Sequence, residues 1–305
     1  MKKVIVSILD YNGQDKTLAC LRSLENLVLP DIFLEVLVID NYPQGKFTVD
    51  KKLFPSLEIT IIKTKENKGF AGGHNVGFEY AIKKQIDFIV ILNNDTYVDK
   101  NLIKELVRSA EENPQRAAVV PKIYFAKGFE YHKDRYKKDE LGKVFWYAGG
   151  SIDWDNINGV HRGVDEVDKK QYDDEQETEL LTGCCVLFRT DILQKTGGFD
   201  DRYFLYYEDA DLNERIHRLG FVIWYNPNAV LWHINAGSTG GSGSNLQDYF
   251  ISRNRLLFGF RFARFRTKAA LLRESVRILF TGRKWQRKGV IDFFRHRYGK
   301  GSFAL

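Results

Sequence analysis

Ile89-Val90-Ile91-Leu92-Asn93-Asn94-Asp95-Thr96 decides how the rest of the chain is read, because an apolar, β-branched run stops abruptly in two amides and a carboxylate. Such a run is a strand buried in a sheet, and in an open α/β sheet ligands collect beyond the carboxyl ends of the strands. Asp95 offers a hard divalent cation an oxygen donor, with the other coordination positions left to water and substrate phosphates. A plainer reading is also open, in which Asp95 or Thr96 caps a helix that begins near Asp99.

Outward from that stretch, the N-terminal side alternates strands with helices. Val4–Leu9 reads as a strand buried on both faces, and Tyr11-Asn12-Gly13 as the turn after it. Leu18, Leu21 and Leu24 predict a helix over Thr17–Leu27. Strands follow at Leu34–Ile39, which ends in Asp40-Asn41, and at Leu57–Ile62. The Gly-rich run up to Gly73 reads as a loop that opens a helix over Asn75–Lys84. This order predicts an α/β fold with a doubly wound, Rossmann-like, mostly parallel sheet. Tyr11-Asn12, Asp40-Asn41 and Asn93-Asn94-Asp95 then line one crevice.

On the C-terminal side, Leu102–Asn113 is an amphipathic helix and Ala117–Val120 a short strand. A polar, Tyr-rich insertion at about 127–174 reads as a substrate-side excursion rather than core. Leu180–Phe188 returns to the apolar pattern, and Gly237–Ser244 reads as a mobile loop. The expected division is 1–245 for the main domain, with a nucleotide-binding half (1–120) and an acceptor-binding half (121–245), followed by a basic, aromatic, helical segment over 246–305.

Composition narrows the class. The 305 residues carry a net charge of +6, yet between Arg253 and Lys300 fifteen Lys and Arg face only Glu274 and Asp292, so that end holds +13 and the remainder −7. One end is built for a negatively charged surface. No apolar run is long enough to span a bilayer, and Met1-Lys2-Lys3 leads straight into a strand, so neither a signal peptide nor a transmembrane helix is expected. Cys20, Cys184 and Cys185 fit neither a disulfide framework nor a zinc site, which points to a reducing cytoplasm.

Two further clusters carry chemistry. Asn67-Lys68-Gly69-Phe70-Ala71-Gly72-Gly73 permits close backbone approach and presents helix amides to an anion, although most Gly-rich turns are only turns. It has neither the Gly-Lys-Ser/Thr of a P-loop nor the spacing of a dinucleotide fingerprint. Gly197 to Leu212 runs through Phe199, Tyr203, Phe204, Tyr206 and Tyr207 into Glu208-Asp209-x-Asp211 at the start of a helix. One or two acids there would serve the helix dipole, whereas aromatic walls beside several carboxylates make a platform for a sugar ring and its hydroxyls.

Tyr11-Asn12, Val38-Ile39-Asp40-Asn41, Asn67-x-Gly69-Phe70-Ala71-Gly72-x-x-Asn75-x-Gly77, Leu92-Asn93-x-Asp95, Gly197-Gly198-Phe199-Asp200, Glu208-Asp209-x-Asp211-Leu212-x-x-Arg215, Pro227 and His233 stand in the order seen in family-two glycosyltransferases. Over about residues 4–240 the chain resembles that family, most closely its bacterial rhamnosyltransferase-like branch. The resemblance implies a GT-A fold that inverts the anomeric carbon of a nucleotide-activated sugar. It assigns Asp40 to the pyrimidine ring, Tyr11 with Asn12 to the base, Asn67 and Gly69 to the ribose and diphosphate, and Asn93 and Asn94 to the sugar nucleotide. Asp95 and His233 would hold Mg²⁺ or Mn²⁺, and Asn93 replaces the first acid of the family's Asp-x-Asp motif.

An acceptor hydroxyl needs its proton removed as it attacks, a task for a carboxylate in an apolar, aromatic setting, and Asp209 is the expected base. Tyr207 and Gly183 are expected to contact the acceptor, and Glu208 and Asp211 to position acceptor hydroxyls or Arg215. The expected activity transfers sugar from a nucleoside-diphosphate donor, dTDP-rhamnose by preference, to a glycan or lipid-linked glycan in bacterial surface polysaccharide synthesis. A UDP-hexose or UDP-N-acetylhexosamine transferase, a non-catalytic nucleotide-sugar-binding module and a nucleotidyltransferase are the rival readings. The basic tail is read as binding an anionic membrane surface, ahead of simple packing and of nucleic acid, which makes the protein peripheral on the inner face of the cell membrane. Removing it from about Arg253 onward is then expected to spare nucleotide binding. Homodimer formation is left open.

Overall fold

The computed structural model describes residues 1–234 and 243–303. Most of the loop expected at Gly237–Ser244 therefore lies outside the described residues. The first half runs β1 (Lys2–Asp10), α1 (Gln14–Leu24), β2 (Ile32–Asp40), β3 (Glu58–Lys63), α2 (Gly69–Lys83), β4 (Phe88–Asn93), β5 (Thr96–Val98), α3 (Leu102–Glu112) and β6 (Arg116–Phe125). There follow β7 (Phe145–Tyr147), β8 (Gly150–Asp153), β9 (Asn158–His161), β10 (Gln176–Glu177), β11 (Cys185–Arg189), α4 (Thr190–Thr196), α5 (Glu208–Arg218) and β12 (Val222–His233). Three helices close the chain, α6 (Asn245–Phe262), α7 (Phe265–Thr281) and α8 (Lys284–Phe294).

One large sheet has the order β10-β12-β6-β11-β4-β1-β2-β3, with β5 on β12 and β7 on β6. Strands β3, β2, β1 and β4 are mutually parallel, β12 and β6 are parallel, and β11 runs antiparallel between β4 and β6. Val4–Val6 and Phe88–Leu92 are buried throughout, as expected of strands covered on both faces. Register brings Asp10 beside Asp40, Leu9 beside Asn93 and Phe125 beside His233, so the acids and the histidine end at one sheet edge.

Three local expectations need correction. Asp95 and Thr96 cap no helix, because β5 intervenes and α3 starts only at Leu102. The glycine run is not a loop: α2 begins at Gly69, whose φ of +69° starts the helix in a conformation that disfavours a side chain. Gly73 and Gly77 lie on the face of α2 that packs on β1, where an added Cβ would meet Leu9 at 2.4 Å and Ser7 at 2.6 Å. The third correction concerns the insertion, which contributes to the core, since Val144, Phe145, Tyr147 and Ala148 are fully buried and β7 pairs with β6.

Candidate active site

The nucleotide side of the crevice is built on β1, β2 and α2. Asp40 is buried, and its carboxylate accepts from the backbone N–H of Phe47 (3.0 Å) and of Tyr42 (3.3 Å), with Lys63 Nζ at 3.4 Å. It thus shapes the 42–47 loop that would flank a base. Tyr11 is 44% exposed and meets Tyr42 edge to face at 5.3 Å, leaving ring surface toward solvent, and Asn12 turns the chain at φ +53°. Asn67 Oδ1 accepts from Gly69 N (2.9 Å) and from Asn41 Nδ2 (3.1 Å). The amides of Phe70 and Ala71 both donate to the carbonyl of Phe204, at 2.7 and 3.3 Å. The first amides of α2 are therefore engaged by the protein itself, and Gly69 is required for that docking, since a Cβ would stand 2.3 Å from Phe204 O.

At the end of β4, Asn93 is half-buried beside Leu9, and Asn94 donates to Thr17 Oγ1 at 3.0 Å, which braces the turn after β1. Asp95 and His233 come together from 138 positions apart, with His233 Nε2 3.1 Å from Asp95 Oδ1 and both side chains almost wholly buried. His233 Nδ1 has no hydrogen-bond partner among the described residues, and the ring packs edge-on against Trp146. No group of three or more His, Cys, Asp or Glu able to hold a metal occurs among the described residues. A two-residue O,N donor pair nevertheless fits a divalent cation that takes its other ligands from phosphate and water. A carboxylate suits Mg²⁺ and Mn²⁺ alike, and the imidazole favours the transition-series member of that pair.

The acceptor side centres on the first turn of α5. Asp209 is half-buried; its Oδ1 accepts from Ala210 N (2.8 Å) and its Oδ2 from Gly183 N (3.2 Å). Burial pushes its pKa above the usual carboxylate value, against the lowering effect of those two amides. Gly183 lies between Asp209 and Phe70, where a Cβ would come within 3.0 Å of the ring. Glu208 is 5% exposed, its Oε2 is without a partner among the described residues, and burial together with neighbouring Asp209 raises its pKa well above normal. It is thereby biased toward the protonated form, which does not compete as a base. Tyr207 OH donates to the carbonyl of Ile157 (2.7 Å), tying the β8–β9 hairpin to the start of α5.

Of its two expected roles, Asp211 takes the one toward Arg215 and not the one toward acceptor hydroxyls. It is fully buried, and its oxygens accept from Arg215 Nε (2.6 Å), Arg261 Nη1 (2.6 Å) and Tyr203 OH (3.0 Å). That saturates the carboxylate in the interior.

The aromatic segment leading into Glu208 is held in an uncommon backbone conformation, with φ of +65°, +68° and +73° at Phe204, Tyr206 and Tyr207. Helix α6 fixes it. Asn254 Nδ2 lies within hydrogen-bond distance of the carbonyls of Tyr203, Leu205 and Tyr206 (2.9, 2.8 and 2.8 Å). Arg253, fully buried, donates to Tyr203 O (2.8 Å), Arg202 O (3.2 Å) and Gly299 O (2.6 Å). Sequence reading missed Arg253, Asn254 and Asn213, whose side chain bonds Leu181 N and Glu179 O and so holds the segment before Gly183. Asn213 carried a usable signal, being one helical turn after Asp209.

A sheet edge of this topology with acids, an imidazole and an aromatic wall gathered at its carboxyl end defines a GT-A glycosyltransferase. Residues 5–197 match Glycosyl transferase family 2, and the chain belongs to that family. It is 26% identical over 185 residues, 55% of its own length and 59% of the relative's, to the N-acetylglucosaminyl-diphospho-decaprenol L-rhamnosyltransferase of Mycobacterium tuberculosis. It is also 22% identical over 251 residues to the poly-beta-1,6-N-acetyl-D-glucosamine synthase of Staphylococcus aureus, covering 79% of this chain and 54% of that one. The chain thus spans between half and three fifths of the length of these curated relatives. Among solved structures, a Pyrobaculum calidifontis mannosyltransferase in complex with GDP-Man and Mn²⁺ superposes with a TM-score of 0.54 at 15% identity, covering 98% of this chain and 76% of that one. GalNAc-T7 with UDP, GalNAc and Mn²⁺ gives 0.60 at 14% identity, covering 96% and 58%.

Proposed function

We propose that the protein transfers a sugar from a nucleoside-diphosphate donor to a hydroxyl of a lipid-linked glycan, in a metal-dependent reaction that inverts the anomeric carbon. The observation that carries this reading is the convergence, within one family-two fold, of the Asp95–His233 pair at the strand ends with Asp209 on the Gly183 amide. Residues 1–120 serve the nucleotide and the following residues to 234 the acceptor. Asp40 and Tyr11 flank the base, and Asn67, Asn93 and Asn94 order the backbone around the sugar nucleotide. Asp209 takes the proton of the attacking hydroxyl as the bond to the anomeric carbon forms and the diphosphate departs. A divalent cation on Asp95 and His233, when bound, supplies Lewis-acid charge neutralisation to the leaving diphosphate.

dTDP-rhamnose is the favoured donor. The M. tuberculosis relative is named as an L-rhamnosyltransferase acting on a polyprenyl diphosphate-linked N-acetylglucosamine. Asn93 agrees with it, because a deoxyribose offers no 2′-hydroxyl for an acid at that position to accept from. A lipid-linked acceptor places the enzyme peripherally on the cytoplasmic face of a membrane; no helix of the described residues is long and apolar enough to cross one. Thermal shift and nucleoside-diphosphate release across a panel of nucleotide sugars test the reading. Selective stabilisation and slow hydrolysis of dTDP-rhamnose are expected, turnover of UDP-hexoses alone would replace the donor, and pyrophosphate release would replace the reaction class.

Chelation should abolish turnover, with restoration by Mn²⁺ or Mg²⁺. Asp95→Ala is expected to raise the metal concentration giving half-maximal rate by at least about tenfold, since it removes one of two protein ligands. A metal dependence identical to wild type would dismiss Asp95 as a ligand.

A further inference from the structure

The phenylalanines of the basic segment divide between core and solvent. Phe258 is buried against Trp154 and Tyr207, and Phe260 packs on Phe293. Helix α8 exposes Ile291 (38%) and Phe294 (47%), and α7 exposes Phe265 (86%), Leu272 (43%), Val276 (54%) and Phe280 (81%). At about 100° per residue the α7 spacing of seven, four and four places those residues on one stripe of the helix, roughly 80° wide. The opposite side, with Thr267, Leu271 and Ser275, is buried toward the body of the protein.

Charge frames that stripe with a single sign. Arg266, Arg273 and Arg277 are exposed along one edge of it, and α8 adds exposed Lys284, Arg287 and Lys288. Between Arg264 and Arg295 there are ten Lys and Arg and two acids, a net of +8. Both acids are turned inward: Glu274 pairs with Arg255 at 2.9 Å, and Asp292 is buried, accepting from Tyr249 OH and Ser302 N.

We propose that this face of α7, with the adjoining basic face of α8, docks on an anionic lipid bilayer. Phe265, Leu272, Val276 and Phe280 enter the interfacial zone, and the arginines meet the lipid phosphates. The proposal rests on the membrane-associated part of the functional reading and adds the surface responsible. A second copy is a poor occupant, because face-to-face pairing would bring two arginine rows together with no acid on either face to answer them. A nucleic-acid backbone would engage the arginines and leave Leu272 and Val276 in water.

The test is co-sedimentation of the full-length protein with vesicles of phosphatidylglycerol and phosphatidylcholine, against phosphatidylcholine alone, at low and high salt. Wild type should sediment with the anionic vesicles at low salt and be released by high salt. The pair Phe265→Ser/Phe280→Ser and the triple Arg266→Glu/Arg273→Glu/Arg277→Glu should each lower partitioning by about tenfold or more. Their melting temperature and donor hydrolysis should stay at wild-type values, and measuring hydrolysis alongside separates failure of docking from failure of the catalytic reading. No partitioning of wild type, unchanged partitioning in both variants, or a change of oligomeric state in the phenylalanine pair would overturn the proposal.

Discussion

Asp209→Asn should lower the rate of transfer by about 10²- to 10⁴-fold, the range a positioned general base contributes, while donor affinity stays close to wild type. The substitution preserves size and can keep the acceptor bond from Ala210 N through its carbonyl, so the first turn of α5 persists. What it removes is basicity at the one half-buried carboxylate that faces Gly183 and Phe70. The pH profile supplies a second signature. Burial raises the Asp209 pKa, so the base becomes protonated, and the rate falls, at a higher pH than for an ordinary aspartate. That acid limb of kcat/KM should disappear in the residual activity of the variant. Wild-type transfer by Asp209→Asn, measured as nucleoside diphosphate released in the presence of acceptor, would remove Asp209 from the base role.

A chain ended just before Arg253 should fail to fold, contrary to what its charge pattern led one to expect. Arg253 and Asn254 supply the donors for the carbonyls of Arg202, Tyr203, Leu205 and Tyr206, which sit in a segment with three left-handed residues. Arg261 also closes the Asp200 and Asp211 carboxylates, at 3.0 and 2.6 Å. Loss of α6 from Arg253 onward strips these carbonyls of their side-chain donors at once and takes a cation from each carboxylate, leaving Asp200 to Arg202 and Asp211 to Arg215 and Tyr203. Arg253→Ala alone should cost on the order of 3–5 kcal/mol, as expected when a buried charged hydrogen-bonding group is deleted. Asn254→Ala should still fold, and it should lose kcat more than donor affinity, because the loosened segment carries Glu208 and Asp209. Cooperative melting of the truncated chain within a few degrees of the full-length protein, with donor binding intact, would refute this account of α6.

The parts of the fold that could be read in advance are those where one physical constraint dominates the sequence. Val4–Ile8 and Phe88–Leu92 are buried on both faces, so each reads as an apolar run, broken only by Ser7 in the first. Their polar stops at Tyr11-Asn12 and Asn93 were equally plain, since a sheet edge is where such residues can be solvated or put to use. Strands β7, β8 and β9 are three or four residues long, too short to show alternation, and the buried Phe145 and Tyr147 were lost in a polar stretch. The glycines were visible but their purpose was not: spaced one turn apart, Gly69, Gly73 and Gly77 serve the approach of α2 to Phe204 and β1. Helix α6 was the least legible element. A buried arginine that donates to backbone carbonyls has the same letter as a solvated one, and Arg253 gives no local sign of which it is.

The central claim is a single displacement in which the acceptor hydroxyl, deprotonated at Asp209, attacks the anomeric carbon as the nucleoside diphosphate leaves. The anomeric configuration of the transferred sugar, read by NMR from the one-bond C1–H1 coupling in the product, tests it most directly. Configuration opposite to that in the donor is predicted; a product that retains the donor configuration would contradict it.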